Sequence, residues 1–365
     1  FGSFLLKNGL YGLAIHNCLI CRRSSFSNLF SLMNRSFCVA PMMRRTDRHF
    51  RYLCGILSKE ATLFTEMIHA NAINRNRPEA FLDNSNILNP TVLQIGGSCP
   101  EELKKATTEA NQFNYSEINL NLGCPSSKVQ SGNFGAILMK DVNLVKKCLS
   151  EMMKVAKNEV SVKIRLGVDD FNIKEGLDSF VENLSAIGIN TFYVHARIAL
   201  LKGLDPKQNR TIPPLNYERV LKLKKDFNNL NIIINGGIDN FLSAKHEFKN
   251  LDGIMIGRAA YEFPLRLIDV DNIFYNSNFT KKSFLVVIDQ MFDYINTLNH
   301  KDEIRTKFHM LNLFKGMKNA KKSRVLLMSN EKNDKIKNQL KNIILESQDK
   351  ACLLYTSPSP RDRYI

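Results

Sequence analysis

Residues 117–126, with the sequence EINLNLGCPS, combine a thiol with two side-chain amides. Apolar and polar residues alternate up to Gly-Cys-Pro, which predicts a β-strand followed by a turn that carries Cys124. A strand buried on both faces of a parallel sheet usually consists of apolar residues alone. Asn119 and Asn121 would destabilise such a strand unless their side chains meet polar groups. A thiol and amides at the carboxyl end of a strand are where an α/β barrel carries out its chemistry.

The elements that would position this segment repeat along the chain from residue 37 onward. The predicted strands are 37–40, 62–65, 91–95, 117–122, 159–165, 190–195, 231–235 and 252–257. Apolar residues at helical spacing predict intervening helices, most clearly at 142–157 and 176–187. Eight strand–helix units match a (β/α)8 TIM barrel, an α/β fold of roughly 250 residues. A doubly wound sheet would need a glycine-rich turn after the first strand, and Ala40-Pro41-Met42-Met43 is not one.

A small all-α domain, residues 278–350, is predicted to follow the barrel of residues 37–277. Apolar residues recur at helical spacing from 284 to 298, and a second helix is indicated around Leu311. This part has 15 basic and 8 acidic residues, whereas residues 47–277 have 28 and 26. The excess of positive charge favours a polyanionic partner for the helical part.

The two ends of the chain differ in composition from the rest. Residues 1–36 are rich in Ser, Arg and bulky apolar residues and have no acidic residue. This is typical of a transit peptide for the mitochondrion or a plastid. The alternative is a disordered or mistranslated leader, which would leave the protein cytoplasmic. Residues 351–365 carry two Ser-Pro pairs and an abruptly different composition, and we interpret them as a non-native tail.

Composition argues against a membrane protein and against a metal site. No stretch approaches the 18 or more uninterrupted apolar residues of a membrane span. Of eight cysteines only Cys18 and Cys21 are closely spaced, and no second pair could complete a zinc site with them. Unpaired cysteines in a chain of this length suit a reducing compartment. We expect a monomer with no bound metal.

Residues 117–126 resemble the Asn-x-Gly-Cys-Pro motif of the tRNA-dihydrouridine synthases. Six further motifs recur in that family's order and approximate spacing, within about residues 37–325: Ala40-Pro41-Met42, Gln94-Ile95-Gly96-Gly97, Val162-Lys163-Ile164-Arg165, His195-Ala196-Arg197, Asn235-Gly236-Gly237 and Gly257-Arg258. Each motif alone is weak, but seven in order are specific. The resemblance implies reduction of uridine to 5,6-dihydrouridine in the tRNA D-loop, with a flavin cofactor and NADPH as reductant. Residues 203–210 resemble an insertion of the branch that acts on positions 20 and 20a.

The resemblance also implies that flavin mononucleotide (FMN) binds at the barrel mouth. The loops after strands 7 and 8 of such barrels commonly hold a phosphate. Here they are Asn235-Gly236-Gly237 and Gly257-Arg258, in which glycines admit an anion to the backbone and Arg258 adds charge. The alternative is that the glycines only form tight turns, and two such loops favour the phosphate site. The other residues implied to contact the flavin are Pro41, Met42, Met43, Gln94, Lys163 and His195.

Cys124 is implied to be the general acid. In the family, reduced flavin delivers a hydride to C6 of uracil, and this thiol protonates C5 from the opposite face. The thiol must therefore be protonated before the step, unlike that of a nucleophilic cysteine. A buried, inert cysteine is the alternative. The residues expected to contact the uracil or the tRNA are Asn121, Arg197, Lys207, Asn209 and Arg210, although loop charges are often only solvated.

Two other functions remain open at this point. A flavin barrel acting on a free pyrimidine, as in dihydroorotate dehydrogenases, would give the basic helical part no purpose. A tRNA-binding protein without catalysis would have no need of Cys124 and Lys163. One departure from the family pattern affects the flavin side, where Arg44-Arg45 replaces an acidic–aromatic pair.

Overall fold

A closed barrel of eight parallel strands, β1 to β8 in chain order, forms the centre of the protein. The structure, a computed structural model, describes residues 33–75, 78–277 and 282–348. The strands are β1 (Phe37–Val39), β2 (Thr62–His69), β3 (Thr91–Gly96), β4 (Glu117–Asn121), β5 (Glu159–Arg165), β6 (Thr191–His195), β7 (Asn231–Asn235) and β8 (Gly253–Ile256). The predicted TIM barrel is confirmed, and seven predicted strands end within about two residues of those observed. The exception is β2, which continues to His69.

Helices connect the strands and form the C-terminal region. They are α1 (Arg48–Leu57), α2 (Ala70–Ile73), α3 (Glu79–Leu82), α4 (Pro100–Ala110), α5 (Ser127–Ser131), α6 (Val142–Val155), α7 (Glu175–Ser185), α8 (Tyr217–Asp226), α9 (Phe241–Glu247), α10 (Arg258–Glu262), α11 (Val270–Tyr275), α12 (Phe284–Ile295), α13 (His300–Met310), α14 (Ala320–Leu327) and α15 (Asn333–Gln348). Short 3-10 helices lie at Gly135–Lys140, Gln208–Arg210, Pro264–Asp269 and Leu311–Phe314. The two helices predicted most clearly are α6 and α7.

The outer helix α6 forms because one of its faces is apolar and the chain supplies a cap. In α6, Val145, Leu149 and Met152 are fully buried. They lie at helical spacing and so face the barrel together. Asp141 caps this helix by accepting a hydrogen bond from the backbone N–H of Leu144, at 3.0 Å.

The barrel interior is polar along β4 and β5. The register pairs Asn119 with Ser161 and Asn121 with Lys163. The apolar residues between them, such as Leu120 and Val162, belong to the core outside the strands. The expectation that the two asparagines would meet polar groups is therefore confirmed.

A buried ion cluster lies at the amino end of β4 and β5. Arg35 contacts the carboxylates of Glu117 and Glu159, each at 2.5 Å. The backbone of Arg35 passes so close to β8 that a Cβ at Gly253 would lie 1.9 Å from the Arg35 carbonyl oxygen. Only glycine at that position allows the approach.

The C-terminal helices pack against α1, in agreement with the predicted all-α region. Asp47 caps α1 and also accepts from Nε2 of His309, at 2.9 Å, on α13. The rings of Tyr52 and Tyr294 stack with their centroids 3.8 Å apart. The predicted domain boundary falls beside residues 278–281, outside the described residues, and so stays a prediction.

Of the predicted leader, residues 1–36, all but residues 33–36 lie outside the described residues, as does the tail at 351–365, and both interpretations stay predictions. Within the described ranges, no helix is long and apolar enough to span a membrane. In the same ranges, no three or more His, Cys, Asp or Glu side chains are grouped so that they could hold a metal ion.

Candidate active site at the barrel mouth

The carboxyl ends of the strands bring the predicted residues together. Gln94 lies on β3 and Asn121 ends β4, with Cys124 three residues later. Lys163, on β5, donates from Nζ to Oδ1 of Asn235 at the end of β7, at 3.1 Å. Residues that are far apart in the chain thus line one mouth.

The loop that carries Cys124 is held by its backbone. The N–H groups of Gly123 and Cys124 donate to Oδ1 of Asn121, at 3.2 and 3.0 Å. The carbonyl oxygen of Cys124 accepts from the N–H of Ala136, at 2.9 Å. At Gly135, where φ is +76°, a Cβ would lie 2.7 Å from that same oxygen. The thiol of Cys124, which is half-buried, therefore stands on a loop with little freedom to move.

Burial changes the charge state of Lys163. Desolvation, with the positive charge of the neighbouring Arg165, lowers the pKa of this ammonium group to about 7. Its hydrogen-bond partner Asn235 is neutral and donates in turn to the carbonyl oxygen of Met255, at 2.8 Å. An anionic group bound beside Lys163 would therefore favour its protonated form.

His195 is a neutral ring at this mouth. Desolvation, with the positive charges of Arg165 and Lys163, lowers the pKa of His195 well below its ordinary value. The ring packs on Gly236, where a Cβ would lie 2.7 Å from Cδ2 of His195.

The turns after β7 and β8 fit an anion. Gly236 and Gly237 have φ of +118° and +68°, in the region that favours glycine. Arg258, at the start of α10, is exposed beside Gly257. A Cβ at Gly257 would lie 3.7 Å from Sδ of Met42, so the turn after β1 adjoins the turn after β8.

The segment after β1 forms a closed turn. The N–H of Met42 donates to Oγ1 of Thr46, at 2.9 Å, and the N–H of Thr46 donates to the carbonyl oxygen of Met42, at 3.0 Å. Arg44 has φ of +60° and its N–H donates to the carboxylate of Glu66. Pro41 and Met42 are half-buried, whereas the side chain of Met43 is 59 % exposed.

Arg45 adds charge to the same rim. Its guanidinium lies 4.8 Å from the ring centroid of Tyr261, and its charge lowers the pKa of Arg210, after burial and Arg258. The departure Arg44-Arg45 thus makes this side of the mouth more basic.

The four predicted residues of the loop after β6 fall into two pairs. Lys207 and Arg210 are exposed. Asn209 is fully buried, donates to the carbonyl oxygen of Leu200 and accepts from its N–H, both at 2.8 Å. Arg197 is nearly buried and donates to the carbonyl oxygen of Pro213. Lys207 and Arg210 can reach a ligand, while Asn209 and Arg197 shape the loop.

Arg165 has a structural role that the sequence analysis did not identify. Its Nε donates to the carbonyl oxygen of Gly123, at 2.9 Å, and its Nη1 donates to those of Ile198 and Asn209, at 2.9 and 3.0 Å. Burial lowers the pKa of Arg165 to about 10. It ties the Cys124 loop to the loop after β6. The signal in the sequence was its spacing of two residues from Lys163, which puts both cations on one face of β5.

Comparison with known proteins agrees with this geometry. The profile described as "Dihydrouridine synthase (Dus)" matches residues 38–349. Over 305 residues the chain is 41 % identical to the tRNA-dihydrouridine(20/20a) synthase of Shewanella oneidensis. This alignment covers 82 % of this chain and 89 % of the relative. Over 285 residues it is 45 % identical to the enzyme of the same name from Synechocystis sp., with 78 % and 85 % covered. The namesake from Escherichia coli O6:H1 is 41 % identical over 302 residues, with 80 % and 89 % covered. The chain belongs to the dihydrouridine synthase family.

Proposed function

We propose that the protein is an FMN-dependent enzyme that reduces uridine 20 or 20a of tRNA to 5,6-dihydrouridine, with NADPH as reductant. The observation that carries the proposal is the meeting of Cys124, Asn121 and Lys163 at one barrel mouth, in a chain of this family. The positions 20 and 20a are those in the names of its relatives.

The residues present fit FMN. Its phosphate would lie against Gly236-Gly237 and Gly257-Arg258, where Gly237 and Arg258 are exposed and the positive φ of Gly236 and Gly237 shapes the turn. Gln94 and Lys163 would contact the polar edge of the flavin ring. His195 and the Pro41-Met42-Met43 turn would make further contacts with the ring. When bound, FMN would supply a hydride to C6 of the uracil.

The chain itself holds and moves the proton. Cys124 would keep a proton on Sγ until C5 of the uracil accepts it, which is general acid catalysis. The hydrogen bonds to the Cys124 backbone keep Sγ in place for that transfer. Lys163, protonated beside an anion, would balance negative charge on the cofactor side.

The substrate must present an unstacked uridine. Taking a base out of its stack needs a few kcal/mol and is easiest for loop nucleotides, which suits the D-loop. Asn121 would hold the uracil edge, and Lys207 and Arg210 would contact neighbouring phosphates.

The test is a flavin assay combined with mapping of the modified base. The purified protein should release FMN, be reduced by NADPH and then be reoxidised by unmodified tRNA, with dihydrouridine appearing at position 20 or 20a. Free uridine and dihydroorotate serve as controls and should leave the flavin state unchanged. A flavin-loaded protein that reacts with the free pyrimidine and not with tRNA would contradict the proposal.

A further inference from the structure

A line of hydrogen bonds crosses the barrel interior, beginning at the Cys124 loop. The N–H groups of Gly123 and Cys124 donate to Oδ1 of Asn121, at 3.2 and 3.0 Å. Nδ2 of Asn121 donates to Oε1 of Gln94, at 2.8 Å. In each of these bonds the donor nitrogen lies on the side of the Cys124 loop and the acceptor oxygen lies on the side away from it.

The line continues over β3, β4 and β5 to the other end of the barrel. Nε2 of Gln94 donates to Oδ1 of Asn119, at 2.8 Å, and Nδ2 of Asn119 donates to Oγ of Ser161, at 2.7 Å. The Ser161 hydroxyl donates to the carboxylate of Glu117. Gln94 is 1 % exposed and the other three are 0 % exposed, so water offers them no alternative partners.

The two ends of the line fix its direction. Backbone N–H groups can only donate, so Asn121 must turn its oxygen to the Cys124 loop. At the far end, Arg35 donates to Oε2 of Glu117 from Nε and Nη2, at 2.9 and 2.5 Å, and the Tyr193 hydroxyl adds a bond at 3.2 Å. Glu117 is therefore an acceptor. If an amide group between these ends rotated by 180°, its oxygen would face another acceptor oxygen and its nitrogen would face another donor nitrogen.

We propose that Glu117, Ser161 and Asn119, which are remote from the reacting atoms, are positioning residues of the reaction. They keep Gln94 and Asn121 with their oxygens inside the line, so that the second N–H of Asn121 is the group that can meet an acceptor on a ligand. Through Asn121 they also hold the Cys124 loop in place. The part that concerns the substrate rests on the proposed function.

Ser161→Ala interrupts the line without adding charge or bulk. Ser161→Thr keeps the hydroxyl and serves as the rescue variant. The matched control is Thr191→Val, which removes a hydroxyl from an equally buried position on β6. Thr191 donates to Glu159, at 2.5 Å, and accepts from Nδ2 of Asn231, at 3.0 Å. Neither partner is a member of the line, and Glu159 touches its far end only through Arg35, which it shares with Glu117.

Two readouts are made on the holoenzyme. The first is the single-turnover rate of flavin reoxidation at saturating tRNA, together with KM for tRNA. The second is hydrogen exchange of the Gly123 and Cys124 amides, followed by mass spectrometry. Since one buried hydrogen bond contributes about 0.5–1.5 kcal/mol, Ser161→Ala should slow reoxidation about 3- to 10-fold and speed exchange by a similar factor. KM should stay within about twofold, because the phosphate contacts are untouched.

Ser161→Thr should restore both values, and Thr191→Val should alter neither. Asn119→Leu, which removes the next member of the line, should give effects at least as large as those of Ser161→Ala. The proposal is overturned if Ser161→Ala and Asn119→Leu leave rate and exchange unchanged, or if Thr191→Val matches them. If the wild-type protein is not reoxidised by tRNA, the proposed function fails, and the exchange of Gly123 and Cys124 still decides the positioning role.

Discussion

Three basic side chains at the mouth owe their charge state to burial as much as to residue type. Desolvation lowers the pKa of Lys163, Arg165 and His195. The positive charge of Arg165 also lowers the pKa of Lys163 and of His195, and Lys163 adds to the effect on His195. Such perturbed groups in a cleft are typical of functional sites.

Lys163 should make stability depend on pH in a defined window. Between about pH 7 and the ordinary pKa of lysine, the unfolded chain binds a proton that the folded chain has released. The free energy of unfolding should therefore rise with pH across that window and be lowest below it. We expect the flavin-free protein to gain roughly 1–3 kcal/mol between pH 7 and 9.5 relative to Lys163→Met. Urea unfolding at both pH values checks this, and equal pH dependence in the two proteins would refute it. Lys222→Met, at an exposed site, should behave as wild type.

Cys124 should matter for the chemical step alone. Cys124→Ala should bind FMN and be reduced by NADPH at wild-type rates, because the contacts of the loop are made by its backbone. Uridine reduction should fall on the order of 10²- to 10⁴-fold, the range for a positioned general acid. Stopped-flow measurement of the two half-reactions separates these effects. Undiminished dihydrouridine formation would remove Cys124 from the mechanism.

At the scale of elements, the turns after the strands decide where an anion can bind. The turn after β7 depends on glycine for two reasons, a positive φ and the closeness of His195. The turn is braced by the Tyr217 hydroxyl, which donates to the carbonyl oxygen of Gly236, at 2.7 Å. A side chain there would have to displace one of these neighbours.

Gly236→Ala should therefore weaken FMN binding by at least about tenfold, since strain and a clash add, each of order 1–3 kcal/mol. The matched control is Gly203→Ala, at which φ is +80° but no atom lies within 4 Å of the added Cβ. It should lower the free energy of unfolding by about 1 kcal/mol and leave FMN affinity unchanged. Fluorescence titration with FMN and thermal unfolding distinguish the two variants. Equal FMN affinity in both would show that the turn after β7 is not the phosphate site.

At the scale of the whole molecule, the C-terminal helices and the barrel mouth are neighbours. Nδ2 of Asn312 donates to the carbonyl oxygen of Tyr261, at 3.0 Å, and the Lys315 ammonium lies 4.0 Å from the ring centroid of Phe263. Tyr261 belongs to α10, which begins at Arg258. The basic stretch that follows Lys315 is thereby placed on the side of the molecule where tRNA would meet the mouth.

We expect Lys318, Lys321 and Lys322, which are exposed, to contact tRNA phosphates. Replacing all three by Gln should weaken tRNA binding and reduce the slope of log affinity against log salt by about one unit for each phosphate that is no longer neutralised. FMN content should not change. The control replaces Lys105, Lys147 and Lys157, which are exposed on the helical side of the barrel. If both triple variants weaken tRNA binding equally, the basic C-terminal stretch is not the tRNA anchor.

Truncation is a poorer test than substitution. The side chain of His309, on α13, makes two hydrogen bonds to the barrel. One is to the carboxylate of Asp47, the cap of α1, at 2.9 Å, and the other is to the hydroxyl of Tyr261, at 3.1 Å. Removal of the C-terminal helices would leave these buried groups without partners and destabilise the barrel.

The sequence determined the parts of this protein that depend on short-range pattern. Alternation with a period of two located the strand at 117–122, because neighbouring residues of a strand face opposite sides whatever the rest of the chain does. The glycine pair Gly236-Gly237 marked the turn after β7 for a similar reason, since a positive φ is a property of one residue. Ordered motifs then identified the family.

Only the tertiary structure decided which distant residues share a hydrogen bond and which are buried. Asn119 meets Gln94 and Ser161 because the barrel aligns β3, β4 and β5 in one register, and no local pattern records that register. Asn209 was predicted to contact tRNA, yet folding encloses it within its own loop, while Arg165 gains a bridging position. The pKa of Lys163 likewise follows from desolvation, a property of the assembled mouth rather than of the residue.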